Sequence, residues 1–407
     1  MVHTRKRASS EMSELKRTGF RRRALIVVLS VLAIVGAEIS AVSPATAAPK
    51  KTATSSTLLT QRVGFGAAVT GGAAASPVKV TDCGDDPATP RRGSLRALLA
   101  IPGARYVKWG TSCTTHLKAP LRVPSDTTLD GSEQAVTLTG LNGDYGGLIV
   151  DHVSNVIIHN LTITAFGSPA LRQFNDRPDG IAVFASSGVW IDHNTMSDIG
   201  DKQVSVEGGT TDVTVSWNRF VGDAYNAQYF QIGTQFDGAT TDAVQNVTAH
   251  HNFYDGPGYR APSIAYGTLH QFNDVVERWV AYGVRCQRLA QCYLENDVFA
   301  ATGEGGGLVA VKYKPSGDGC NDSGSRCDST WGSGTVVDPY LPVAGTTANS
   351  SVEQPPCADP PVAPCSPYYG SGPQTFRPGY AYAPEPADAT LQARVKAEAG
   401  SHAKPRW

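Results

Sequence analysis

Six times between Ile157 and Val298 a short apolar strand runs into an asparagine. The strand ends read V-I-I-H-N (Asn160), W-I-D-H-N (Asn194), V-S-W-N (Asn218), A-H-H-N (Asn252), H-Q-F-N (Asn273) and L-E-N (Asn296). The gaps between these asparagines are 34, 24, 34, 21 and 23 residues. A repeat of this length, built on one strand and one fixed polar position, stacks as a solenoid. The pattern predicts an all-β chain wound as a parallel β-helix, each coil lying on the last at strand spacing. Stacked asparagines in a turn can hydrogen-bond one another up the stack, as side-chain ladders do in other stacked-strand assemblies.

Length alone would suggest two or three domains, but a single repeat array of 407 residues needs no boundary. The formal charge of −1 argues against nucleic acid or a membrane surface as partner. An acidic polymer would have to be held by a local cationic groove or a metal ion. Arg21, Arg22 and Arg23, the apolar run Ala24 to Ala37 and the small-residue site Ala45-Thr46-Ala47-Ala48 form the three parts of a cleaved export signal, residues 1–48. Eight cysteines in an exported chain suggest four disulfides. Local pairs are Cys83 with Cys113, Cys286 with Cys292, Cys320 with Cys327 and Cys357 with Cys365, although sequence alone does not fix connectivity.

Residues 49–62 read as a disordered linker and 63–340 as the β-helix. Ser94 opens a short helical stretch to Leu99 that suits the cap of an open solenoid end. Strands follow at Tyr106–Trp109, Thr127–Gly131 and Val136–Gly140, and Leu308–Val311 reads as the last. Two insertions, Phe166 to Pro178 and Val221 to Val244, interrupt otherwise short coils and mark the face where a site is built. Residues 341–407 are proline-rich and end in a helical stretch, Asp388 to Ala399. Tyr368, Tyr369, Phe376, Tyr380 and Tyr382 need burial, so this tail is expected to pack back along the solenoid.

V-W-I-D-H-N (189–194), D-V-T-V-S-W-N-R-F (212–220) and N-V-T-A-H-H-N-F-Y (246–254), with Arg260-Ala261-Pro262 beyond them, resemble consecutive coils of the pectate lyases of polysaccharide lyase family 1. The resemblance extends over roughly Val63 to Gly400. It implies a right-handed, single-stranded parallel β-helix, secreted and monomeric, that cleaves polygalacturonate by β-elimination. The chemistry removes a proton from C5 of a uronate beside a carboxylate. The resulting carbanion is prohibitive unless that carboxylate is neutralised, and in the family Ca²⁺ does this.

The resemblance maps the family's arginine base onto Arg260. A guanidinium is ordinarily always protonated, so a basic role needs burial and crowding by other cations. The bland alternative for Arg260 is a structural ion pair between coils. The implied metal ligands are Asp179 and Asp201, with Ser205 at a position that is acidic in the family and Glu207 two residues on, on the same strand face. The resemblance places Arg177 where the family has another acid, Gln228 where it has a lysine, and Ala265 where it has a second arginine. Lys202 and Arg177 are candidates to restore positive charge against the substrate. Gln228 and Tyr229 are expected on the substrate side, with Tyr225, Tyr229 and Phe236 as a sugar-stacking wall.

An arginine replacing a calcium ligand also resembles pectin lyases, which act on methyl-esterified substrate without calcium. Other readings are a catalytically weakened solenoid that binds pectin, and a β-helix glycoside hydrolase. Hydrolysis needs paired carboxylates, which the coils do not offer. His193, His250, His251, Trp190 and Trp217 read as packing groups, and Asp192 and Asp198 as turn formers.

Overall fold

In the computed structural model the described residues are 57–140, 146–167, 179–223, 227–233, 245–280, 282–287, 290–301, 309–314, 333–343, 346–349 and 376–402. Their strands stack in three parallel files. The first holds ten strands, from Pro77–Val80 through Ser187–Asp192 and Thr211–Ser216 to Ser333–Val337. The second contains Leu148–Asp151, Ile181–Phe184, Lys202–Glu207, Ala227–Ile232, Ser263–Ala265 and Val284–Gln287 in that order. The third runs from Cys113–Leu117 to Val298–Ala300. This is the parallel β-helix that the repeat predicts.

Register explains why the sequence winds this way. Val156, Val189, Val213, Val247, Leu269 and Cys292 are mutual partners in successive first-file strands, and all are fully buried. One β-branched or aliphatic side chain per coil therefore continues a single apolar row, each buried side chain stabilising by about 1.5–3 kcal/mol.

The six asparagines do not share one position. Asn194, Asn218 and Asn252 form the buried ladder: Nδ2 of Asn194 donates to Oδ1 of Asn218, and Nδ2 of Asn218 to Oδ1 of Asn252, each at 3.1 Å. Asn160, Asn273 and Asn296 sit one residue earlier, at the turn with φ of 53–57°, in line with His193, Trp217 and His251. Asparagine tolerates that left-handed region better than most residues. The ladder itself continues through Asp274 and Asp297. Oδ1 of Asp274 accepts from the Asn252 amide at 2.7 Å, and Oδ1 of Asp297 from the Asp274 amide at 2.8 Å.

Burial pushes both carboxyls well above the usual carboxylate range, and the Oδ2 of each has no hydrogen-bond partner among the described residues. An aspartate that keeps its proton in the fold, where the unfolded chain loses it near pH ~3.9, binds more protons folded than unfolded. Stability then falls as pH rises above that point. In Asp274→Asn/Asp297→Asn the neutral amide is permanent. Melting curves from pH 5 to pH 9 should fall less steeply for this variant than for the wild type; equal slopes would refute the protonated-ladder account.

Several boundaries move. Residues 57–62 are packed, not a free linker: Thr57–Thr60 is helical and Leu58 is buried beside Ile157 and Trp190. The predicted capping helix is present as Leu95–Leu99, with the Ser94 hydroxyl accepting from the Ala97 amide. Leu308–Val311 is not the last strand. Ser333–Val337 and Thr347–Asn349 add to the first and second files. The second insertion contains a full strand, Ala227–Ile232. Cys83–Cys113 and Cys286–Cys292 are bonded, while the other four cysteines lie outside the described residues.

Residues 376–402 lie along the solenoid. Their helix, Ala389–Glu398, is N-capped by Asp388 and buries Leu391 and Val395 against Phe253, Val275 and Val298. Asn160 and the His402 backbone exchange a pair of 2.8 Å hydrogen bonds, and Asn273 does the same with Glu385. Tyr368 and Tyr369 lie outside the described residues.

Candidate active site on the second file

The outward residues of the second file form two rows along the solenoid. In one, Ile149, Ala182, Ser205, Gln231, Ser263 and Arg285 are successive partners. In the other, Asp151, Phe184 and Glu207 follow one another, and Ala265 pairs with Gln287 further along. Inward residues such as Val183, Val204 and Val206 are fully buried, so the pleat fixes which side chains face out.

Asp179 precedes Gly180, where an added Cβ would lie 2.7 Å from the Gln203 carbonyl. Only glycine permits that approach, which brings the Asp179 carboxylate against the next coil. Its Oδ1 accepts from the Lys202 amide at 3.1 Å, and its Oδ2 accepts from the Ser205 hydroxyl. The Lys202 ammonium lies 2.5 Å from Oδ2 of Asp201 and 3.6 Å from Oδ1 of Asp179. Burial pushes the Asp179 carboxyl up, and Asp201 adds to this while Lys202 opposes it. Burial works against the charge on Lys202, yet Asp179 and Asp201 outweigh it and raise its pKa.

The predicted residues Asp179, Asp201, Lys202 and Ser205 are therefore one cluster. Glu207 shares the outward face of Ser205 and acts electrostatically on Lys202. Gln228 is the strand partner of Lys202 and, on its other side, of Tyr259. Arg260 follows Tyr259, so it stands two strand spacings, about 10 Å, along the solenoid from Lys202. The Arg260 carbonyl accepts from the Phe230 amide at 2.8 Å, and its backbone has φ of 64°, the left-handed region. Its guanidinium lies over the Tyr259 ring at 5.3 Å and makes no ion pair among the described residues; its Nε is buried without a partner. Among the described residues no interstrand ion pair makes Arg260 a structural residue.

Two expectations are corrected. Tyr229 is fully buried and packs on Phe220 and Tyr254, at ring distances of 6.2 and 5.6 Å. It lies on a strand inside the solenoid and offers no wall to a sugar. Asp192 is not a turn former. Its Oδ2 takes the Nδ1 atoms of His159 at 2.9 Å and His193 at 2.7 Å, and its Oδ1 accepts from the Ser216 hydroxyl at 2.6 Å. This buried trio meets the spacing of a metal site, but its atoms already satisfy one another. Arg177, Tyr225 and Phe236 lie outside the described residues.

Calcium takes about six to eight oxygen ligands. The candidate ligands do not present such a cage. Asp179 has committed both oxygens to Lys202 and Ser205, and an ammonium stands between the two carboxylates. As arranged, the donor set does not fit the ion.

The sequence profile described as pectate lyase matches residues 45–401. The chain belongs to the pectate lyase family. Pectate lyase 4 of Ambrosia artemisiifolia is 30% identical over 234 residues, which cover 54% of this chain and 57% of that protein. Pectate lyase 1 of Cryptomeria japonica is 28% identical over 285 residues, covering 66% of this chain and 72% of that protein. For Probable pectate lyase 13 of Arabidopsis thaliana the match spans only 44% of the relative's length. Among solved structures, jun a 1, the major allergen from cedar pollen, superposes with a TM-score of 0.66 at 23% identity, over 84% of this chain and 93% of its own. The pectate lyase Bsp165PelA from Bacillus sp. N165, solved with trigalacturonate, gives 0.53 at 18% identity, over 84% and 98%. These structures share the pectate lyase fold.

Three residues beside the candidate site escape a sequence reading. Arg285 comes from the strand beside Ala265, donates from Nε to the Ser263 hydroxyl at 3.2 Å, and lies over Tyr282 at 4.7 Å. Tyr259 feels Arg260, Asp201 and Arg285 together; burial is the main cause of its raised pKa. Phe184 is 47% exposed beside His152, at a ring distance of 5.9 Å, on the outward row of Glu207. Only the alternation I-A-V-F, with Phe184 in the outward phase, signals the last of these.

Proposed function

We propose that the chain is an exported, monomeric lyase that cleaves pectate or pectin by β-elimination, with Arg260 as the base. The Arg260 side chain carries the reading: it makes no ion pair among the described residues, and Tyr259 beside it feels both Arg260 and Asp201 of the Asp179–Asp201–Lys202 cluster. Arg260 takes the C5 proton, the C–H electron pair becomes the C4–C5 double bond, and the C4–O bond breaks. The departing oxygen takes a proton from water. Arg285 supplies cationic charge near Arg260 from the neighbouring coil, where the family's second arginine is Ala265 here; nearby cations favour the unprotonated form of a base. The two disulfides suit an oxidising compartment, and an acidic polysaccharide is the partner in place of nucleic acid or membrane.

The test is absorbance at the wavelength of unsaturated uronates, on polygalacturonate and on methyl-esterified pectin. A rise on at least one polymer is expected. New reducing ends without the ultraviolet product would mean hydrolysis and end the lyase reading.

A further inference from the structure

We infer that the Lys202 ammonium takes the place of the calcium ion, so that this site works without a divalent metal. The inference deepens the lyase reading and rests on it for the chemistry, but its physical core is the cluster itself. Lys202 follows Asp201 directly in sequence and opens the strand that stacks on the coil of Asp179. Its ammonium is held by carboxylates of two different coils, at 2.5 and 3.6 Å, with the side chain only 19% exposed.

The remaining oxygens are not idle. Asp179 also takes the Lys202 amide and the Ser205 hydroxyl. Ser205 stands where an acid would add a further anionic ligand, and a hydroxyl that donates to Asp179 cannot at the same time lend strong charge to an ion. A metal would have to displace the ammonium, break the serine hydrogen bond, and leave Lys202 with its charge partly buried.

Charge counting gives the substrate consequence. The same carboxylates carry one positive charge fewer with an ammonium between them than with Ca²⁺. The site is thus one charge poorer for holding a free uronate, and loses nothing toward a uronate whose carboxyl is methyl-esterified. The outward face beside the cluster agrees with a less charged substrate: Ile149, Ala182 and exposed Phe184 are apolar, and the Arg122 and His152 side chains next to them are both engaged by Asp151 at 2.7 and 2.6 Å.

The test uses the exported chain, calcium chloride alone and a chelator, with wild type, Lys202→Met and Lys202→Gln. For the wild type, millimolar calcium should leave the melting temperature unchanged, and chelator should leave elimination on methylated pectin within about twofold. Removing the ammonium frees both carboxylates. At least one Lys202 variant should then gain about 2 °C or more on calcium addition and bind the ion in calorimetry. Calcium stabilisation of the wild type, loss of its activity to chelator, or no calcium response in a folded variant would overturn the proposal. Absence of ultraviolet product from the wild type on both polymers would sink the lyase reading alone, since the calcium-binding measurements decide the role of Lys202 without turnover.

Discussion

Arg260→Ala should lower kcat on the preferred polymer by about a thousandfold, the upper half of what a positioned base contributes, with folding intact. Three structural facts set that expectation. The guanidinium has no ion-pair partner among the described residues, so removing it strands no buried carboxylate. Its backbone is held at φ of 64° by the Phe230 amide on its carbonyl and by coil stacking, which no side-chain change removes. The left-handed backbone is a coil-turn conformation shared with His193, Trp217 and His251, so it does not depend on the Arg260 side chain. Arg260→Lys is the sharper companion: it keeps a cation but loses the planar fork, so it should also lose most activity. If Arg260→Ala retains activity within tenfold of wild type while Arg285→Ala does not, the base is misassigned.

Asn218→Leu should cost about 3 kcal/mol or more in denaturant unfolding, a large effect for one near-isosteric change. The side chain sits mid-ladder and makes five hydrogen bonds. It accepts from the backbone amide and Nδ2 of Asn194, and donates to the carbonyls of Ile191 and Ser216 and to Oδ1 of Asn252. Leucine fills the space but leaves all of those buried partners without water to replace what they lose. Asn160→Leu serves as the control. It makes two hydrogen bonds, both to the tail backbone, where Asn218 makes five, so its loss should be smaller. Equal losses at the two positions would mean the ladder does not hold the coils.

The repeat period was enough to reach the β-helix, because one apolar side chain per coil and one polar turn are local signals that stacking only amplifies. The phase of the turn was less legible. F-N-D (272–274) and E-N-D (295–297) carry two polar residues in a row, and either fits a ladder slot. Only the backbone decides that the asparagine adopts the left-handed turn and the aspartate goes inward. Tyr229 was misplaced for a related reason: a sequence that looked like a long loop hides the strand Ala227–Ile232, on which the ring is buried against Phe220 and Tyr254. Asp179, Asp201 and Ser205 were found because each lies at a motif position. The salt bridge from Lys202 to both carboxylates was not, since it depends on which coil lies above which. Arg285 was missed because its contribution comes across a strand ladder, 25 residues beyond Arg260 in sequence.

The tail has a mechanical consequence. A stack of similar coils held only by neighbours tends to fray from its ends, one repeat at a time. Here a single segment is stitched by paired backbone bonds to the turn of Asn273 and then, some four coils away, to the turn of Asn160, with Lys396 bridging to Glu277 between them. Force or heat that lifts one coil must also strip the stitches from the others. The strap turns a one-dimensional array into a body that comes apart as a unit, and so keeps the spacing between Lys202 and Arg260, set by coil stacking alone, from drifting.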